Sequence, residues 1–206
     1  TAEILKVISE SPTDVQPVFQ AIATSARRLC EGMTGQVITF DGELIQHGAA
    51  DGVDPAGIEA LRQNFPMPAS RGTVSGRAIL SRTIAYVQDV GEDPEYRLRG
   101  MAETVGYRCA VAVPMIRDGN PIGAIAVTGA EPGMFTERQI AMLQTFADQA
   151  VIAIENVRLF KELEARNSDL TESLEQQTAT AEILRVISGS QTDVQPVFET
   201  IAENSL

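Results

Sequence analysis

From Met134 to Ser188 the chain contains neither glycine nor proline; "EPG" precedes the stretch and Gly189 closes it. A long helix is the structure that so extended an uninterrupted segment favours. "TERQ" marks its start: Thr136 can cap, and Gln139 can reach back to the cap amide, the reciprocal arrangement that satisfies orphan donors. At about 1.5 Å per residue the helix would run roughly 75 to 80 Å, further than a compact domain of this size needs. Part of it must therefore leave the domain.

Its two halves differ in pattern. Ile140, Leu143, Ala147, Ala150, Ile154 and Val157 form a broad apolar stripe suited to a domain core. Beyond them, Phe160, Leu163, Leu170, Leu174, Ala181 and Leu184 fall on a narrow seam spaced alternately by three and four, among Glu, Arg, Asp and Gln. That is a heptad seam. Asn167 and Gln177 occupy seam positions, where a polar residue costs stability but fixes register. The expectation is a homodimer through the terminal helices, with Leu163, Asn167, Leu170, Leu174 and Leu184 as dimerisation residues. A solvated single helix is the competing reading, because about three heptads lie near the lower limit for this signal.

The chain also repeats itself. Thr1 to Arg27 and Thr180 to Leu206 align at an offset of 179 with 18 identities in 27 positions. Solenoid repeats recur every 20 to 50 residues or so, so a unit of this length is a whole domain with its connector. The expectation is one period of a tandem array that carries the opening of the next copy. A first residue of Thr, not Met, agrees with excision from a longer protein.

Composition narrows the function classes. With 206 residues, 44% hydrophobic and 21% charged, the chain can bury a real core. A net charge of −12 argues against nucleic acid, which needs clustered Lys and Arg. Apolar runs such as "CAVAVPMI" fall well short of the roughly 18 residues that span a bilayer, so no direct membrane contact is expected. No signal peptide is visible. Cys30 and Cys109 suggest neither a disulfide framework nor a metal site, and a cytoplasmic setting is the default.

Ahead of the long helix the pattern is mixed. "TDVQPVFQAIATSARRLCEG" reads as a helix capped by Thr13 or Asp14, with Pro17 in its first turn and Gly32 and Gly35 closing it. "GQVITF" and "ELIQHGA" read as strands around Asp41-Gly42, and "DPAGIEALRQNF" as a short helix. "PMPASRGTVSGRAILSR" reads as a loop running into a helical turn or two, ahead of the strand "TIAYVQD". "DPEYRLRGMAETVG" looks helical, and "RCAVAVPMIRDGNPIGAIAVTG" gives two strands around Asp118-Gly119-Asn120. The order predicts an α+β domain. "CAVAVPMI" implies a strand covered on both faces, with terminal helices on one side of the sheet and small helices on the other. A cavity under that second layer is a natural ligand pocket.

"GRAILSRTIAYVQDV", "YRCAVAVPMIRDGNPIGAIAV" and "FTERQIAMLQTFADQAVIAIENVRLFKELE" together resemble a GAF domain, over about residues 14 to 160. The stretch "TAEILKVIS" resembles linkers between consecutive GAF units in large bacterial sensor kinases. The resemblance implies a GAF/PAS-like antiparallel sheet of six or so strands with helices on both faces, followed by a long coiled-coil helix. It also implies terminal helices that dimerise, and ligands as varied as cyclic nucleotides, bilins, haem and small metabolites. The Asn-Lys-Phe-Asp-Glu constellation of cyclic-nucleotide members is not present as such. A bilin-attaching Cys beside His is also missing, since Glu31 and Ala110 follow the two cysteines.

The implied organisation is a linker-helix end at 1–12, a sensory domain at 13–160, a coiled-coil signalling linker at 161–189 and a truncated second GAF repeat at 190–206. The implied function is regulatory: a non-catalytic module sensing an unidentified small molecule in a tandem-GAF histidine kinase or cyclase. Two alternatives stay open, a thiol-based reductase of free methionine sulfoxide and a ligand-free structural dimerisation module. No metal or cofactor is assigned. If there is a pocket, its polar lining is expected from Arg71, Thr73, Ser75, Tyr86, Asp89, Tyr96 and Tyr107; an arginine there could hold an anion and the tyrosines could stack on a ring. His47 lacks partners for a catalytic centre and reads as a partly exposed strand residue, while "GTVSG" reads as a turn opening a short helix.

Overall fold

The structure, a computed structural model, describes residues 14–189. The expected linker end at 1–12, the second repeat at 190–206 and the alternative cap Thr13 lie outside the described residues. The chain falls into two compact units divided between Arg158 and Leu159.

Helix α1 (Val15–Cys30) starts where Asp14 accepts a hydrogen bond from the Gln16 amide at 3.0 Å, so the expected cap forms. It ends differently from expectation. Glu31 takes the left-handed conformation (φ 54°), and Gly35 belongs to strand β1 (Thr34–Phe40). A Cβ on Gly35 would overlap the Ala23 carbonyl and crowd Arg27, so this glycine serves helix-to-sheet approach instead of helix termination.

Strand β2 (Leu44–Asp51) pairs with β1 through a loop in which Asp41 accepts from the Glu43 and Leu44 amides. Helix α2 (Pro55–Asn64) carries Asp54 as its cap and Pro55 in its first turn. Next come a two-residue strand β3 (Met67–Pro68), helix α3 (Val74–Ser81) and strand β4 (Ala85–Val87). Helix α4 (Arg99–Val105) leads to β5 (Cys109–Arg117) and β6 (Asn120–Gly129). The β5–β6 turn places Asp118 and Gly119 at φ 50° and 76°, the paired positive values of a two-residue hairpin whose twist suits the strands.

The six strands form one antiparallel sheet in the order β3-β2-β1-β6-β5-β4. Its two faces are built from alternate residues of the same strands. Cys109, Val111, Val113, Ile125 and Val127 pack against α1 and the final helix α5 (Glu137–Gly189). Ala110, Ala112 and Ala126 face the layer made by α2, α3 and α4. Large side chains thus fill one face and small ones leave room on the other.

Two local expectations change. The expected loop at residues 67 and 68 is strand β3, which adds to the sheet edge at Leu44 and Ile45, where Pro68 is tolerated because an edge strand needs no donor on its outer side. The helix expected over "DPEYRLRGMAETVG" forms only at Arg99–Val105. Asp93 spends its carboxylate on Arg77 and on the Glu95 amide, which holds residues 93–96 as a turn.

At α5 the capping box forms: the Thr136 amide donates to Gln139 Oε1 (3.0 Å) and the Gln139 amide to Thr136 Oγ1 (3.3 Å). Gln139 Nε2 also donates to the Cys30 carbonyl at 3.0 Å, fastening this helix start to the end of α1. Within the first unit Leu143, Ala147, Ala150 and Val157 of α5 are buried. Within the second unit Leu163, Leu170, Leu174 and Leu184 are 55–65% exposed. No described helix is long and apolar enough to cross a membrane.

Candidate functional site

The face of the sheet carrying small residues sets up the site. Ala110 and Ala126 leave space beneath α3, and Gln36 and Thr128 bring polar atoms up from β1 and β6. Above them, the cap of α3 supplies Thr73 and Ser75; Thr73 Oγ1 accepts from the Gly76 amide at 2.9 Å, which fixes the helix start over the sheet. Tyr96 and Tyr107 close the side, joined hydroxyl to hydroxyl at 2.8 Å. The enclosed space is about 20 Å³, close to what one water molecule needs.

Of the seven side chains expected to line a pocket, Thr73, Ser75, Tyr96 and Tyr107 meet at this compartment. Arg71 lies outside, 70% exposed and paired with Glu95. Tyr86 lies on the opposite face of the sheet, its ring against Phe135 and its hydroxyl accepting from the Phe135 amide at 3.2 Å. Asp89 is bound to Arg108 and to the Gly91 amide on the domain's rim. Gln36 and Thr128 were missed. Their signal was present as polar residues interrupting the inward alternation of "GQVITF" and "GAIAVTG".

Burial governs the chemistry of these groups. It pushes the Tyr107 hydroxyl up to about 12 and raises Tyr96 well above the ordinary tyrosine value, so both remain neutral donors. Thr34 and Thr128 share a hydroxyl–hydroxyl bond of 2.8 Å, and Gln36 Nε2 approaches Thr34 Oγ1 at 3.4 Å. No charged side chain lines the compartment. Its roof is braced from outside by Arg77, which grips Asp93 through both terminal nitrogens and donates from Nε to the Arg71 carbonyl at 2.6 Å. The Arg77 guanidinium holds the Asp93 carboxyl below the usual carboxylate range.

The two thiols stand apart from this site. Cys30 and Cys109 are fully buried, unbonded to each other, and on the face that packs against α1 and α5. Burial pushes Cys30 up to about 11 and raises Cys109, the reverse of what a thiolate nucleophile requires. His47 is half-buried in β2 with Nε2 unpartnered and its ring centre 6.2 Å from that of Phe65; burial lowers its basicity. Among the described residues no group of three or more His, Cys, Asp or Glu could hold a metal ion.

Known structures share this architecture. A GAF domain/HD domain protein from Geobacter sulfurreducens superposes with a TM-score of 0.62 at 18% identity, over 73% of this chain and 97% of that one. A domain attributed to a two-component sensor histidine kinase of Sinorhizobium meliloti 1021 gives 0.56 at 17% identity, over 70% and 93%. Free methionine-R-sulfoxide reductase from Neisseria meningitidis, in complex with its substrate, gives 0.60 at 19% identity, over 76% and 89%. At such identities the likeness establishes the fold alone. No curated protein matches the sequence. The GAF domain family model matches residues 12–155, spanning the sheet, both helical layers and the compartment between them, and the chain therefore belongs to the GAF domain family.

Proposed function

We propose that the chain is a regulatory, small-molecule-sensing GAF module of a bacterial, cytoplasmic signal-transduction protein such as a histidine kinase, acting as a homodimer through α5. One observation carries this reading: a single helix supplies both core residues, from Leu143 to Val157, and an exposed apolar seam, from Leu163 to Leu184. Four leucines more than half exposed on one stripe are what a partner helix would cover. A ligand shifts output only by binding one helix arrangement better than another, so a helix shared by core and seam is a sufficient physical link. Sedimentation compares the whole chain with a version ending at Glu162. A dimer that becomes a monomer on truncation supports the seam; monomers in both contradict it.

The thiol-reductase reading is disfavoured by the placement of Cys30 and Cys109 on the far side of the sheet from the compartment. A ligand-free structural module is the second reading, and the small volume of the compartment is the observation in its favour.

A further inference from the structure

We propose that the compartment selects a small uncharged molecule bearing both a hydrogen-bond donor and an acceptor, such as a carboxamide, and excludes anions and zwitterions. The proposal rests on the sensing reading above and adds the chemical class of the ligand.

Unspent hydrogen-bonding capacity is the first ground. The hydroxyls of Tyr96 and Tyr107 share one bond, which uses one of their two protons and leaves the other without an acceptor. Ser75 is 5% exposed, and among the described residues its hydroxyl makes no hydrogen bond. Gln36, 7% exposed, uses only its nitrogen, on Thr34 at the long distance of 3.4 Å, and its carbonyl oxygen remains unused. Thr73 accepts through Oγ1 but keeps its proton. Ser75 Oγ and Gln36 Oε1 keep accessible surface, since among the described residues the fully buried side-chain polar atom without a partner is His47 Nε2 in β2, so a guest that both donates and accepts would complete the lining.

Charge is the second ground. An ion taken from water into this space would meet no counter-charge on its walls, and unpaired burial is heavily penalised. Arg77, which braces the roof, is already spent on Asp93. An amide or alcohol meets hydroxyls and a carboxamide that can each turn to donate or accept. Room for anything larger than a water, formamide included, must come from the wall, where Met101 is the unbranched and most adaptable side chain.

Formamide and formate, three heavy atoms each and nearly the same shape, separate charge from size. With alanine methyls labelled, the Ala110 and Ala126 resonances report on the compartment floor, while those of Ala147 and Ala150 report on the other face of the sheet. At neutral pH and constant ionic strength, formamide should shift Ala110 and Ala126 with saturation at millimolar concentration, the range open to so small a ligand. Ala147 and Ala150 should stay still, and formate should leave all four unmoved. Gln36→Met should weaken formamide about tenfold, and Ser75→Ala by less; undisturbed Ala147 and Ala150 resonances certify that each variant is folded. Formate binding as well as formamide at Ala110 and Ala126 would overturn the neutral class while leaving a ligand compartment in place. Silence of both methyls toward both probes would overturn the class and the sensing site together.

Discussion

Tyr96 and Tyr107 join two segments eleven residues apart in sequence, and their shared hydrogen bond is a polar link across the side of the compartment. Burial keeps both neutral, with a consequence for stability: a group whose folded value lies above its unfolded one contributes below pH 10 and loses that contribution as the pH rises through about 12. The chain has three tyrosines. Alkaline titration followed by phenolate absorbance should show little ionisation at pH 10, then a steep rise that coincides with loss of tertiary structure. Titration of all three near 10 with the fold intact would contradict the burial described here. Tyr107→Phe should cost about 1 kcal/mol, because it removes one hydrogen bond and leaves Tyr96 without a partner. The tyrosines and the "GTVSG" cap were legible in the sequence because aromatic and capping residues announce themselves locally. Tyr86, expected in the pocket lining, lies on the other face: the two-residue period of a strand sends neighbours to opposite faces, and its segment alone does not say which face is which.

At the scale of elements, both layers pack apolar residues on the sheet and ion pairs brace each of them. Arg77 and Asp93 are 16% and 18% exposed, so Arg77→Ala breaks a largely buried, doubly bonded pair and should destabilise the domain by about 2 kcal/mol, measured by denaturant unfolding. Gly35→Ala should cost about 2 to 3 kcal/mol by the other mechanism, since its Cβ meets backbone that cannot yield. Glu155 ties α5 to β5 by accepting from Arg158 and Arg117, with Arg158 the stronger influence, and its carboxyl falls to about 2. Its contribution is therefore complete above the ordinary value of 4.5 and disappears as the pH drops toward 2; Glu155→Gln should flatten that part of the acid stability curve. Hairpins and the long helix were readable because their signals are local: Asp118-Gly119, and Thr136 with Gln139. The shortened α4 was not, because Asp93 is diverted by Arg77 from another element, and no local pattern records a tertiary partner.

At the scale of the whole molecule, the division of labour between the sheet faces is written in β5 and β6 as alternating large and small apolar residues. The apolar run was enough to predict coverage on both faces; only the structure reveals that the small residues face the compartment. The seam beyond Leu163 is where an account of sensing is most exposed to disproof. Cys30 and Cys109 are fully buried, so a Glu175→Cys variant offers a label the one exposed thiol among the described residues. Distances between labels on two copies then compare the otherwise unaltered chain with one in which Ser75→Met fills the compartment. A shifted distance distribution is expected if occupancy of the compartment is felt along α5. Identical distributions, or no measurable distance between copies at all, would contradict it.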